Sequence, residues 1–250
     1  MVSENYNEAI ELIRKSKYTI ALTGAGVSVE SGLPDFRSPD GIWSKYDISK
    51  YAYLANFYED PKRIWDFVRE LYSSYSDAKP NIGHISLAKM EEMGFLKCII
   101  TQNIDNLHQK AGSRCVIEFH GNITHLRCLK CGKVYKREER DPFKWEVPIC
   151  DCGNPLKPDF IFFGEGIFED VLNRSFEMAK KCEVFLIIGT SAEVQPASML
   201  PLVAKESGAR LIDINLKPSR ITLDGYSDYF LRGKFTEIMS KMVKDLEGEK

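Results

Sequence analysis

The chain has 250 residues, 44% of them hydrophobic and 28% charged, with a formal net charge of −2. That length buries a substantial core, as one large domain or a large domain with a small satellite, and the charge leaves no global basic field to draw in nucleic acid or anionic lipid. No apolar run reaches bilayer-spanning length and the opening MVSENYNEAIELIRKSK has no charged-then-apolar leader pattern, so the sequence predicts a cytoplasmic protein without membrane contact.

In chain order, Ala9, Ile10 and Ile13 at helical spacing predict a helix over 5–17, and the apolar run 18–22 predicts a strand entering GAGVSVESGLPDFR, residues 24–37. Residues 41–78 are rich in Tyr, Trp and Phe but only weakly periodic. A helix over 84–93 stops at Gly94, and FLKCIITQN and VIEFHG follow as strands. Residues 122–158 are cysteine-rich, charged and short of long apolar runs. The rhythm then returns: a helix over 169–181, the strand EVFLIIG, a helix over 198–207, the strand ARLIDIN, and a last helix after Phe235. Unbroken apolar strands separated by helices predict a doubly wound, Rossmann-like parallel sheet covered on both faces, with 41–78 and 122–158 as insertions.

Seven cysteines in a reducing compartment point to metal binding or reduced thiols more than to disulfides. Cys128 and Cys131 form a C-x2-C pair, Cys150 and Cys152 a C-x-C pair, and 18 residues separate them. Four thiolates satisfy a tetrahedral Zn2+, and Gly132 and Gly153 relieve the turn after each pair. A closed four-cysteine shell leaves no position for substrate, so the metal is expected to be structural. Cys98, Cys115 and Cys182 lie in or beside strand-like runs and read as core residues.

Gly24 and Gly26 follow a strand, where a phosphate-cradling turn belongs, because a Cβ would block close approach of the backbone to a pyrophosphate. The third glycine and the ribose-binding acid of a dehydrogenase fingerprint are absent from their usual places, which disfavours hydride transfer. TQNIDNLH (101–108) and His120-Gly121 also follow predicted strands, so three strand ends deliver polar groups to one sheet edge. Asn103 and Asp105 are candidates for holding an amide, and His120 for a general base.

Together, GAGVSVESGLPDFR, TQNIDNLH, the His-Gly pair, the four cysteines, KPDFIFFGE, GTSAEVQPA and the Asn of LIDINL resemble the sirtuins, NAD-dependent protein lysine deacylases, in order over residues 18–234. The resemblance implies a Rossmann-like domain from 1–40, 79–121 and 159–250, and a smaller domain from a helical module (41–78) and a zinc ribbon (122–158). It implies that Gly24, Ala25, Gly26 and Ser28 approach the phosphates and ribose of NAD, with Asp35, Phe36 and Arg37 over the nicotinamide ribose. Gln102, Asn103, Ile104 and Asp105 would line the nicotinamide side. Gly189, Thr190, Ser191, Asn215, Leu216, Lys217 and Lys234 would grip the adenosine half. Ile161, Phe163, Gly164, Glu165 and Val194 would sandwich an acetyl-lysine peptide as an added strand. In the implied chemistry the acyl oxygen attacks the nicotinamide ribose, and His120 then acts as base toward O-acetyl-ADP-ribose. Mono-ADP-ribosyl transfer and a nucleic-acid-binding zinc module are the alternatives; the near-neutral charge and the Asn103, Asp105 and His120 set weigh against the second.

Overall fold

The computed structural model describes residues 4–36 and 38–248. Arg37 lies outside them. Six strands form one parallel sheet: β1 (Thr19–Thr23), β2 (Cys98–Thr101), β3 (Val116–Glu118), β7 (Val184–Ile188), β8 (Arg210–Asn215) and β9 (Tyr229–Arg232), in the order β3-β2-β1-β7-β8-β9. Both faces are apolar, which is why the strands read as unbroken hydrophobic runs. Ala21, Leu186 and Ile212 join one cluster with Ile13, Leu87 and Met239, and so pack under the helices Glu4–Lys15, Ile82–Glu92 and Phe235–Glu247. Ile20, Leu22, Phe185 and Leu211 turn the other way, toward Ala179 and Leu200 of the helices Glu169–Lys181 and Met199–Glu206.

The inserted segments share a core of their own. Residues 41–78 fold into the short helices Ile42–Lys45, Ile48–Tyr51 and Leu54–Glu59 and the long helix Pro61–Ser76, started by Pro61 and by Asp60, whose carboxylate accepts the Arg63 N–H at 3.0 Å. The other insertion is a three-stranded antiparallel sheet, β5-β4-β6, of β4 (Gly121–Cys128), β5 (Val134–Lys136) and β6 (Leu156–Phe160). Trp65, Phe67 and Tyr72 pack with Leu126, Leu156 and Phe160, and the Trp65 indole donates to the Leu156 carbonyl at 2.9 Å. Three short helices too small to bury a face alone, ahead of the long one, explain the weak periodicity of 41–78.

Cys98 and Cys115, expected as reduced core residues, are joined in a disulfide. Ile99 pairs with Val116 across parallel strands β2 and β3, so the residues just before them fall opposite each other with Cα atoms 4.7 Å apart. Cys182 is a buried thiol, and burial raises its pKa to about 12.

Candidate active site and metal centre

Strand order reverses at β1 and β7: the chain steps from β1 outward to β2 and β3, then returns to lay β7 on the other side of β1. The loops after these two strands interlock there. Gly24 N–H donates to Ile188 O at 3.1 Å and Gly26 N–H to Gly189 O at 2.8 Å. A Cβ on Gly24 would stand 2.6 Å from Thr190 Cβ, one on Gly26 2.8 Å from Gly189 O, and one on Gly189 2.6 Å from Val27 N. The glycines thus admit one another's loop, a requirement that exists before any phosphate arrives.

A polar network crosses this edge. The Asn103 side-chain amide donates to Gly24 O (3.1 Å) and Ser28 Oγ (3.2 Å), and Ser28 Oγ donates to Asp105 Oδ2 at 2.7 Å. The other Asp105 oxygen accepts the Leu107 N–H at 2.9 Å. Burial raises the Asp105 pKa, while Ser28 and Leu107 favour its charge. Gln102 Nε2 donates to Thr190 Oγ1 at 2.9 Å, and the Asn215 amide reaches Thr190 O at 3.4 Å. Beneath lies a layer the sequence reading passed over: Thr23 Oγ1 sits 2.9 Å from both Thr101 Oγ1 and His108 Nε2, and Thr101 Oγ1 accepts the Asn103 N–H at 3.1 Å. Its one signal in the sequence is a threonine at the last position of β1 and of β2.

His120 follows β3. Its Nδ1 lies 3.2 Å from Gln102 O, a carbonyl that only accepts, so Nδ1 carries the proton and Nε2 is the basic nitrogen. Burial lowers the His120 pKa below the usual 6.5, the Gln102 contact acting against it. The ring is therefore neutral near pH 7. Its own carbonyl accepts the Ile161 N–H at 2.9 Å, which ties the histidine to the segment after β6.

In that segment Phe163 N–H donates to Ala52 O (2.9 Å) and Phe163 O accepts from Leu54 N–H (3.0 Å), bridging to the short helices. Phe163 is 37% exposed and Gly164 takes φ +79°. Glu165 turns inward, toward Lys157. Asp35 caps a turn through Ser38 N–H at 2.7 Å, and the Phe36 ring lies 5.7 Å from Trp43. Ala25 O accepts the Ser28 N–H at 3.0 Å and Ile104 O the Ile123 N–H at 3.1 Å. Ser191 O accepts from Arg220 N–H, and Val194 O from Ser198 N–H, each at 2.9 Å. Leu216 and Lys217 are exposed after β8, and Lys234 pairs with Glu237 at 3.9 Å beside Gly233, whose N–H reaches Asn215 O.

The four ribbon cysteines converge with their sulfurs all within 4.8 Å: Cys128 and Cys152 are 3.5 Å apart, Cys131 and Cys150 3.6 Å. Zn–S bonds of about 2.3 Å set tetrahedral sulfurs about 3.8 Å apart, so the cluster fits Zn2+. Gly132 and Gly153 take φ +74° and +82° after the two pairs, as the turn requires. The Tyr135 hydroxyl lies 3.3 Å from Cys150 Sγ, in place to hold a ligand sulfur from outside.

A model of the Sir2 family matches residues 24–196. The chain belongs to the Sir2 family. It is 44% identical over 244 residues to an NAD-dependent protein deacylase of Pyrococcus furiosus, covering 96% of this chain and 97% of that one. It is 43% identical over 251 residues to NAD-dependent protein deacetylase 1 of Pyrobaculum aerophilum, covering 98% and 96%. Among solved structures, a Sir2 homolog–NAD complex superposes with a TM-score of 0.88 at 39% identity, covering 97% of this chain and 94% of that one. A Sir2 variant with a deacetylated p53 peptide and 3'-O-acetyl ADP-ribose gives 0.89 at 36% identity, covering 97% and 98%. The Sir2 membership accounts for the motif order, and the joining of Gly24, Ser28, Gln102, Asn103, Asp105, His120, Thr190 and Asn215 in one network is this chain's own geometry. Among the described residues no helix is long and apolar enough to cross a membrane.

Proposed function

We propose that this Sir2-family chain is an NAD-dependent protein lysine deacetylase, transferring the acetyl group to ADP-ribose and releasing nicotinamide, O-acetyl-ADP-ribose and deacetylated lysine. The observation that carries it is the polar network at the sheet's switch point, where open α/β sheets bind nucleotides, with a neutral, half-buried histidine at its rim. Relatives matched over nearly their whole length carry that activity in their names, and related structures hold NAD, peptide and acetyl-ADP-ribose.

In this reading NAD is consumed as a substrate. Gly24, Ala25, Gly26 and Ser28 take its phosphates and ribose, Asp35, Phe36 and Arg37 cover the nicotinamide ribose, and Gln102 to Asp105 receive the nicotinamide. Asn103 and Asp105 are suited to a carboxamide: Asn103 is fixed by Gly24 and Ser28, and Asp105 by Ser28 and Leu107. Gly189, Thr190, Ser191, Asn215, Leu216, Lys217 and Lys234 take the adenosine half. Ile161, Phe163, Gly164 and Val194 receive the acetyl-lysine backbone, with Glu165 behind them. His120 Nε2 takes the proton from a ribose hydroxyl once nicotinamide has left. Zinc held by the four cysteines supplies folding free energy to the ribbon and has no open position for chemistry. The expected division into a Rossmann-like domain and a smaller domain goes with this reading, as does a cytoplasmic site of action, where NAD and acetylated proteins are both present.

Incubation with NAD and an acetyl-lysine peptide, followed by mass spectrometry, is the test. Nicotinamide, O-acetyl-ADP-ribose and deacetylated peptide in equal amounts are expected. Peptide-independent nicotinamide release with a mass gain on an acceptor protein would instead establish ADP-ribosyl transfer.

A further inference from the structure

Lys157 is the one lysine among the described residues whose side chain is wholly buried. An ammonium has three N–H donors, and here each has an acceptor: Pro158 O at 2.8 Å, Phe160 O at 2.7 Å and Glu165 Oε1 at 3.2 Å. The second Glu165 oxygen accepts the Phe162 N–H at 3.0 Å, and Glu165 N–H returns to Phe162 O at 3.1 Å. The pair thus grips both ends of the turn that carries residues 161–165. Backbone hydrogen bonds from outside reach that turn at Ile161, to the carbonyl of His120, and at Phe163, to the backbone of Ala52 and Leu54, while the buried Phe162 ring stacks on Phe57 at 6.3 Å and the Phe163 ring lies 5.5 Å from Tyr53.

A buried ion pair is weak evidence for stability, because the desolvation of two charges consumes most of their attraction. Its better-supported use is to fix one geometry among several, and here the geometry fixed is that of the segment between the histidine and the short helices. We propose that the Lys157–Glu165 ion pair is a positioning device for acyl-lysine recognition, shaping the 161–165 segment that receives the peptide while leaving NAD binding and the bond-breaking step untouched. This rests on the deacetylase reading, and it gives Glu165 an inward role behind the peptide-facing surface.

The test is steady-state kinetics with peptide and NAD varied separately. Glu165→Gln keeps shape and an oxygen for the Phe162 N–H but removes the charge opposite Lys157. It is expected to raise KM for acetyl-peptide at least tenfold, with KM for NAD within twofold and kcat within threefold at saturating peptide. Lys157→Met is expected to give the same split if it folds. Asp159→Asn is the control: it removes the charge opposite Arg127 (2.6 and 3.1 Å), a pair that joins β6 to β4 outside residues 161–165, and leaves peptide KM within twofold. The proposal is overturned if folded Glu165→Gln binds peptide like the parent, if peptide and NAD KM rise together, or if Asp159→Asn has an equal effect. A parent protein that consumes no NAD would overturn the deacetylase reading instead. The clamp is then judged by amide exchange at Phe162 and Phe163, which quickens at least tenfold in Glu165→Gln if the pair holds the segment and stays at the parent rate if it does not.

Discussion

Acid should destabilise this protein through two histidines that do no chemistry. His84 and His108 are buried with ring centroids 4.9 Å apart, packed edge to face, and Phe235 closes the other side of His84. The Asn81 N–H donates to His84 Nδ1 at 3.3 Å, which puts the His84 proton on Nε2, and among the described residues neither His84 Nε2 nor His108 Nδ1 has a hydrogen-bond partner. A charged ring here would have no acceptor for its second proton. Burial lowers the His84 pKa to about 4, and burial together with His84 lowers that of His108. Below pH 6.5 the unfolded chain protonates these rings and the folded one does not, so stability is complete above 6.5 and lost as pH falls toward 4. Two pH units, from 6.5 to 4.5, correspond to about 3 kcal/mol for His84 alone, or roughly 10 °C in Tm for a chain of this size. Asp105 and Glu118, whose pKa values burial raises, act in the opposite direction over the same range. The clean measurement is therefore a difference: Tm of the parent and of His84→Gln at pH 7.5 and 4.5. The parent should lose several degrees more than the variant. Equal losses would refute the argument, since the histidine would then not be held neutral.

Other outcomes follow from the same geometry. His120→Ala should cut deacetylated product at least 100-fold while exchange of labelled nicotinamide into NAD falls much less; equal loss of both would place the histidine before cleavage. Because burial lowers the His120 pKa, the acidic limb of the parent's kcat/KM profile should lie below pH 6.5; a limb above it would contradict the burial argument. Metal analysis should find one Zn2+ per chain, and Cys128→Ser, which replaces a buried ligand, should lower zinc content, Tm and activity together; active protein without zinc would refute this. Succinyl-lysine should react at least tenfold more slowly than acetyl-lysine. Trp65 and Val68 are wholly buried, and Lys62, Arg63 and Arg69 of the same helix are engaged by Glu146, by Glu59 and Asp60, and by Asp66 with the carbonyls of Pro142, Trp145 and Glu146. A buried succinyl carboxylate would lack a partner. Comparable kcat/KM for the two acyl groups would overturn that reasoning.

What the sequence made legible is what short-range pattern encodes. β1, β7 and β8 stood out because both faces are apolar, and the helix 169–181 because its buried positions recur each turn. β9 escaped, since at the sheet's edge Tyr229 and Phe230 are only partly covered and Arg232 is exposed, and the segment reads as neither period. Asn103, Asp105 and His120 were found because strand ends collect at one edge. The threonine layer below them was not, because Thr23 and Thr101 meet only once parallel register sets Thr23 beside Thr101. The inward turn of Glu165 was hidden for a similar reason: an acid followed by a glycine looks solvent-facing until the buried lysine eight residues before it is seen.

The Cys98–Cys115 disulfide has a topological consequence. The two cysteines bracket the whole of TQNIDNLH, so every residue from Gln102 to His108 lies inside one covalently closed loop with a sequence separation of 17 between its ends. A protease that nicked this loop would produce a two-chain molecule still linked at the base, its fragments inseparable until a reductant was added. The loop that carries Asn103 and Asp105 is therefore tethered to the sheet twice, by peptide bonds and by sulfur, and backbone cleavage there would not by itself let either end drift away.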